Sequence, residues 1–342
     1  MKIFQTKKSV MREMSELRWT VLGVVIGITF LYVSMHGTDI HSILNTLKMV
    51  ELLPVTLAAV AGILFMLIKA WRWSVILRPV THADFRLLHS AVYIGTAANL
   101  IIVHSGELLR ATMVGRRSRV ASSAILASVG VERVFDFMVV VTLFGVLLIF
   151  DQRLPDYVAA AGFIAIVMVM VGLLIIFSLF MPSRFRSHLV GLVAFILPSP
   201  LAEALSRQLK RGLVGFSVLA SPLALVKIFT LSVLMWSCIV GSIWLSAFSV
   251  GYAVTVPMAI TVWVLMVVGL TLPSSPAQLG TTQLAFTLGL SGALVESDVP
   301  FAASVVYLCC VNIPYMIIGA GCWIQSRLAV IRPKSLYQEI SQ

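Results

Sequence analysis

Glu107, Arg110, Glu132, Arg133 and Asp136 fall within 30 positions of one another, between long apolar runs. The stretch Asn99 to Asp136 reads NLIIVHSGELLRATMVGRRSRVASSAILASVGVERVFD. A charge at the centre of a bilayer costs about 2.5–3.5 kcal/mol on insertion scales, so such groups face partners, water or substrate. Glu107 and Arg110 are three positions apart, as are Arg133 and Asp136. That spacing puts each pair on one helical face and predicts pairing within it. Glu132 and Asp136 also share a face, and two carboxylates so close need a guanidinium between them, supplied by Arg110 or by Arg72 from another segment. Two chemistries fit: recognition of an ionic headgroup, or an ion-pair network that only pins helices together.

For an anionic headgroup the contacts are Arg110, Arg133 and Arg72, because a guanidinium donates two parallel hydrogen bonds to phosphate. Glu107, Glu132 and Asp136 would keep those cations oriented, and a half-helix starting near Gly106 would aim backbone N–H groups at the anion. For a cationic headgroup the roles reverse and the carboxylates become the contacts. His104 is either a proton relay or a hydrogen-bonding residue at a helix end. The sequence carries no P-loop, no G-x-G-x-x-G and no Ser/His/Asp arrangement, so neither ATP-driven transport by this chain nor a bound cofactor is expected. Cys238, Cys309, Cys310 and Cys322 lie in apolar segments without metal-ligand spacing, and no metal is expected.

The elements that hold these residues are set by composition. The chain has 342 residues, 59% hydrophobic and 11% charged, with a mean hydropathy of +1.01, whereas soluble domains are about a quarter charged. It reads as an all-α polytopic membrane protein. Its formal charge of +11 is spread over short loops, which fits the positive-inside rule and not nucleic-acid binding. Apolar runs of membrane-crossing length occur at 19–35, 52–71, 87–103, 137–150 with an extension back to 120, 157–181, 223–250, 256–272 and 300–325. Gly23 and Gly27 form a G-x-x-x-G on the first. Trp71 and Trp73 read as interface anchors, and 38–51 as a short external surface helix.

Arg72, Arg78 and Arg86 follow the second run, and Arg110, Arg116, Arg117 and Arg119 follow the third; both groups belong on the cytoplasmic side. One crossing at 87–103 cannot satisfy both. A re-entrant hairpin at about 87–109, broken between Asn99 and Gly106, can. Near the end, Pro273 to Gly280 breaks a second hairpin at about 256–294, which leaves Glu296 and Asp298 external. Only Lys48 and Arg153 of the 25 basic residues then lie outside. The expected architecture is six full transmembrane helices and two oppositely entering re-entrant hairpins, the arrangement inverted-repeat transporters use. It makes one membrane domain, 19–325, with a cytoplasmic N-terminal segment 1–18, a cytoplasmic amphipathic segment about 182–222 and a cytoplasmic tail 326–342. Asn312 and Pro314 bend the last span, toward the cavity or simply for packing.

At these residues the chain resembles the flippase-like family typified by the transmembrane region of lysylphosphatidylglycerol synthase. The resemblance rests on Arg72-Trp73, on Asn99 with Gly106-Glu107 and Arg110, on Glu132-Arg133 with Asp136, and on Pro273 through Gly280. In that family the second break reads like P-x-x-P-G-G-x-G-x-x-E. Here Ala277 and Gln278 replace the paired glycines and Gln283 stands where a glutamate is expected; a proline expected near Ile102 is also missing. The resemblance implies movement of a lipid or lipid-linked headgroup between leaflets. It makes Asn99, Glu107, Arg110, Glu132, Arg133, Asp136, Arg72, Pro273, Ser275, Pro276, Gly280 and Gln283 the candidate substrate-binding residues. The partners it implies are membrane lipids, whether anionic phospholipid, aminoacyl lipid or polyprenyl-phosphate lipid, with a homo-oligomer or a biosynthetic enzyme as further partner. It also implies a bacterial inner membrane. Two other readings stay open: an integral-membrane glycosyltransferase, or partner of one, on polyprenyl-phosphate lipids, and a non-catalytic lipid-binding scaffold.

Overall fold

The structure, a computed structural model, describes residues 23–36, 38–102, 105–150, 221–269, 275–290 and 298–331, with Ala160, Phe163, Val167 and Val218; side chains at 146, 148–150 and 329–331 are excepted. The expected segments 1–18, 157–181 and 182–222, the tail beyond 331, His104, Pro273 and Glu296 lie wholly or mostly outside these residues. Among the described residues every regular element is a helix: α1 Gly23–Met35, α2 Ile40–Lys48, α3 Leu52–Leu77, α4 Phe85–Ile101, α5 Ser105–Ser118, α6 Ser122–Phe150, α7 Pro222–Ser249, α8 Val256–Gly269, α9 Thr281–Leu290 and α10 Asp298–Ile331.

Leu52–Leu77, Pro222–Ser249 and Asp298–Leu328 are each long and apolar enough to cross a membrane. Helix α6, at 29 residues, is also long enough, and it carries Glu132, Arg133 and Asp136. Between lipid-bathed helices there is little hydrophobic drive, so close packing and internal hydrogen bonds hold them. Helices α3 and α7 show this: Ala58 and Ser242 are fully buried at their contact, and the Ser242 hydroxyl donates to the Ala58 carbonyl at 3.0 Å. Helix α10 joins them at Gly62, whose carbonyl accepts from the Tyr315 hydroxyl at 3.1 Å.

One end of the bundle gathers three connections. Helices α1 and α2 meet at 85°, and the Asp39 carboxylate caps α2 by accepting from the His41 N–H at 3.1 Å. The Asp39 N–H donates to Asp298 Oδ1, also at 3.1 Å, and the Glu51 N–H donates to the Ser249 carbonyl at 2.9 Å. The surface helix expected at 38–51 thus sits with the end of α7 and the start of α10.

Helices α4 and α5 form the first hairpin, which extends over 85–118 and so beyond the expected 87–109. Its break is where the sequence placed it: α4 ends at Ile101, Ile102 is extended, and α5 begins at Ser105. Helices α8 and α9 form the second, opened by a 3₁₀ turn at Pro276–Gln278, which packs against α4. Ala277 and Gln278 hold φ of 55° and 61°, and Gly280 φ of 83°. Only the last of these left-handed positions has the residue that suits it.

The end of α3 corrects the sequence reading at two residues. Helix α3 runs to Leu77, so Arg72 is helical and not part of a loop. Trp73 is not an interface anchor: it is fully buried and its Nε1 donates to Ser128 Oγ at 3.0 Å. Trp71 stays exposed, in keeping with an anchor, with Lys227 Nζ 5.7 Å from its ring centroid.

Candidate functional site

Helices α3, α5 and α6 bring Arg72, Arg110, Glu132, Arg133, Asp136 and Glu107 together, and α4 adds Asn99. The pairs run between helices, not along them as the spacing suggested. Arg72 Nη1 donates to Asp136 Oδ1 at 2.6 Å and to Ser232 Oγ of α7 at 2.8 Å, and its Nη2 lies 3.8 Å from Glu132 Oε1. Arg110 Nη2 donates to Glu132 Oε2. Arg133 Nη2 donates to Glu107 Oε1 at 2.5 Å. Glu132 and Asp136 do share a face, and the two arginines from other segments answer them as expected. The geometry explains the change of partner. A guanidinium reaching across a helix interface satisfies a carboxylate that would otherwise be buried alone, whereas a pair on one face leaves the opposite helix unmatched.

Aromatic rings floor the network. The Arg110 guanidinium carbon lies 4.8 Å from the Trp73 ring centroid, an attraction between cation and ring face. Trp236 Nε1 donates to Asp136 Oδ1 at 3.0 Å, and its ring packs 5.2 Å from that of Trp263 and 5.4 Å from that of Phe65.

The first break is stapled across itself. Asn99, on α4, accepts from the Gly106 N–H at 2.6 Å and donates to Glu107 Oε2 at 3.3 Å. This satisfies one of the orphan N–H groups that open α5 and ties it to α4. Gly95 and Gly106 touch so closely that a Cβ on Gly106 would collide with the Gly95 carbonyl and the Asn99 side chain. Beside them is a cleft lined by Lys69, Val92, Gly95, Thr96, Asn99, Gly106, Glu107 and Arg110.

The remaining candidates cluster at the second break. Gln283 Oε1 accepts from the Gly280 N–H at 2.6 Å, the reciprocal arm of a capping box, which a glutamate would also supply. The Ser275 hydroxyl donates to the Leu279 carbonyl. Gly280 lies against the Gly27 carbonyl of α1, where any Cβ would collide, so the packing uses Gly27 of the G-x-x-x-G, and Gly23 is buried as well. Asn312 Nδ2 reaches the Ala277 carbonyl at 3.3 Å, which gives that residue a contact beyond a packing kink. Pro273 lies outside the described residues.

Sequence reasoning missed Lys69, Ser232 and Trp236. Lys69 had a signal: an ammonium inside an apolar run, one turn before Arg72 on the same face. Ser232 and Trp236 had none, because serine and tryptophan are ordinary in such helices.

A family model described as the lysylphosphatidylglycerol synthase TM region matches residues 20–319. A protein of Methanothermobacter thermautotrophicus named UPF0104 membrane protein is 24% identical over 300 residues, which cover 83% of this chain and 88% of that one.

Proposed function

The chain belongs to the family of the lysylphosphatidylglycerol synthase transmembrane region, and on that premise we propose that it is a lipid flippase, moving a phospholipid or lipid-linked headgroup between leaflets. One observation carries this reading: the three arginines of the ion-pair network are graded from the surface inward. The Arg133 and Glu107 side chains are 56% and 17% exposed, those of Arg110 and Glu132 are 7% and 2%, and those of Arg72 and Asp136 are 0% and 15%. A network that served only to pin helices would have no need of an exposed outer arginine leading to buried inner ones. Exposed Leu108 and Leu109 flank Glu107, and Ile101 and Ile102 are exposed at the break, an apolar margin suited to acyl or prenyl tails.

In this proposal the two hairpins are re-entrant from opposite sides, six helices span the membrane and both termini are cytoplasmic, in a bacterial inner membrane. The headgroup engages Arg133 and Glu107 first and Arg110 with Glu132 next, while Arg72 and Asp136 anchor the inner end and Asn99 holds the break. Ser275, Pro276, Gly280 and Gln283 shape the opposing tip, with Pro273 at its start. The partners are membrane lipids, with a second copy or a biosynthetic enzyme as further candidates.

The test is leaflet exchange in proteoliposomes, with headgroup-labelled phosphatidylglycerol, lysyl-phosphatidylglycerol, phosphatidylethanolamine and polyprenyl-phosphate, for wild type and Glu107→Gln. Exchange of one lipid that Glu107→Gln abolishes is the expected result. Absence of exchange for every lipid by well-folded protein would overturn the proposal.

A further inference from the structure

We propose that α2 is an interfacial helix that lies in the plane of the membrane surface, with Ile40 and Leu44 set into the lipid and His41, Asn45 and Lys48 in the hydrated zone. Its partner is the bilayer surface at the end of the bundle where α1 stops and α3 begins. Nothing in this depends on what the protein transports.

Helix α2 leaves α1 at 85°. With nine residues it is about 13 Å long, far too short to cross a core of about 30 Å. Directly after it, at Leu52, begins α3, which is long and apolar enough to cross. A short helix turned nearly at right angles beside the mouth of a span has the plane of the surface to occupy.

At about 100° per residue, the side chains of α2 fall into sectors. Ile43 is buried against Phe301 and Ala302 of α10, and Leu47 packs on the same cluster. Next round the helix come Ile40 and Leu44, one turn apart and 57% and 49% exposed. After them come Lys48, His41 and Asn45, all exposed. A connector bathed in water would turn polar side chains to every direction its neighbours leave open. Helix α2 instead sets two branched aliphatics side by side between its packed flank and its polar one. That order suits a helix seated at the boundary of headgroups and acyl chains.

The exposed apolar surface also continues past α2. Met49, Leu52 and Leu53 are exposed, and Leu57, Val60 and Leu64 carry the exposure along α3. Lipid that bathes α3 therefore reaches Ile40 and Leu44 without a gap in the chain. A second copy of the protein fits less well, because one strip about 13 Å long is far below the about 800 Å² per partner that a stable interface buries. Once seated, α2 fixes the depth of the helices tied to it. The Asp39 N–H holds Asp298 at the start of α10, and the Glu51 N–H holds the Ser249 carbonyl at the end of α7.

The experiment is electron paramagnetic resonance of the full chain in phosphatidylcholine vesicles. Cys238, Cys309, Cys310 and Cys322 are replaced by alanine, and one nitroxide at a time is attached through Leu44→Cys, Ile40→Cys or His41→Cys, with Leu57→Cys as the reference on α3. Collision with oxygen, which concentrates in hydrocarbon, is compared with collision with a water-soluble nickel chelate. Oxygen is expected to dominate at 40 and 44 and nickel at 41, with 40 and 44 shallower than 57 and about 5–10 Å below the headgroup boundary. Equal access of nickel to 41 and 44 overturns the proposal and puts α2 in water. Shielding of 44 from both reagents overturns it as well, since protein then covers that flank; cross-linking of the Leu44→Cys variant would show whether the cover is a second copy. Opposite readings at 40 and 44 overturn the sector assignment. Leaflet exchange is not read in this assay, so failure of the flippase reading leaves the result standing.

Discussion

Replacing Arg72 by methionine tests whether the buried pairs hold the helices as the geometry requires. Methionine keeps the length and apolar volume of the stem and removes the fork that reaches Asp136 at 2.6 Å, Ser232 at 2.8 Å and, more distantly, Glu132 at 3.8 Å. Breaking a buried pair by deleting one partner costs about 3–5 kcal/mol, because the other charge is left uncompensated. The lower end applies here: Glu132 retains Arg110, and Asp136 retains the Trp236 N–H at 3.0 Å with a side chain 15% exposed. We expect a loss of about 3 kcal/mol in reversible unfolding of the purified chain in bicelles. Arg133→Gln provides the scale, since its side chain is 56% exposed and an exposed pair contributes about 0.2–1 kcal/mol. Arg72→Met with Asp136→Asn should recover at least half of the loss, since deleting both charges leaves neither stranded. The reasoning fails if Arg72→Met unfolds within about 1 kcal/mol of wild type, or if Arg133→Gln costs as much.

Gly106→Ala should abolish folding or transport, because its methyl would overlap the Gly95 carbonyl, whereas Gly241→Ala, with open space around it, should raise helix stability by about 0.5–1 kcal/mol; equal melting temperatures would contradict this. Gln283→Glu keeps an acceptor for the Gly280 N–H and should melt near wild type, while Gln283→Leu should lose about 1 kcal/mol. Ala277→Gly relieves a left-handed residue at φ 55° and should raise the melting temperature slightly, with about 1–2 kcal/mol of strain released against about 0.5–1 kcal/mol of added chain entropy; a lower melting temperature would show that the turn is not strained.

The sequence showed what is expensive in a membrane and hid what is merely well fitted. Charges in apolar runs announced Glu107, Arg110, Glu132, Arg133 and Asp136, and Asn99 to Gly106 and Pro276 to Gly280 announced the breaks, since each violates a local rule. Partner choice was not legible: a three-residue spacing puts Glu107 and Arg110 on one face, but which helix packs there is a tertiary matter, and α6 takes both. Trp73 was misread because the apolar run stops near Trp71 while the helix continues to Leu77, so a buried ring looked like an interfacial one. Lys69 passed unnoticed at the end of an apolar run, where a basic residue resembles ordinary flanking charge. Gln283 looked like the loss of a functional carboxylate. In place it is a helix cap that needs an acceptor and no charge.

The two breaks are jointed differently, and that difference has a mechanical consequence. The first hairpin is pinned by bonds with direction: Asn99 across its own gap, and Arg110 and Glu107 onto α6. In the second, Thr261, Ser275, Gln283 and Thr287 direct their hydrogen bonds inside their own hairpin, and Asn312 alone of these described side-chain bonds ties it to α10. Apolar surfaces can slide by a fraction of a turn without losing a specific partner, whereas ion pairs must break before they shift. Among the described residues, shifting the first hairpin would therefore mean breaking ion pairs, whereas the second meets α1 through the close packing of Gly27 and Gly280.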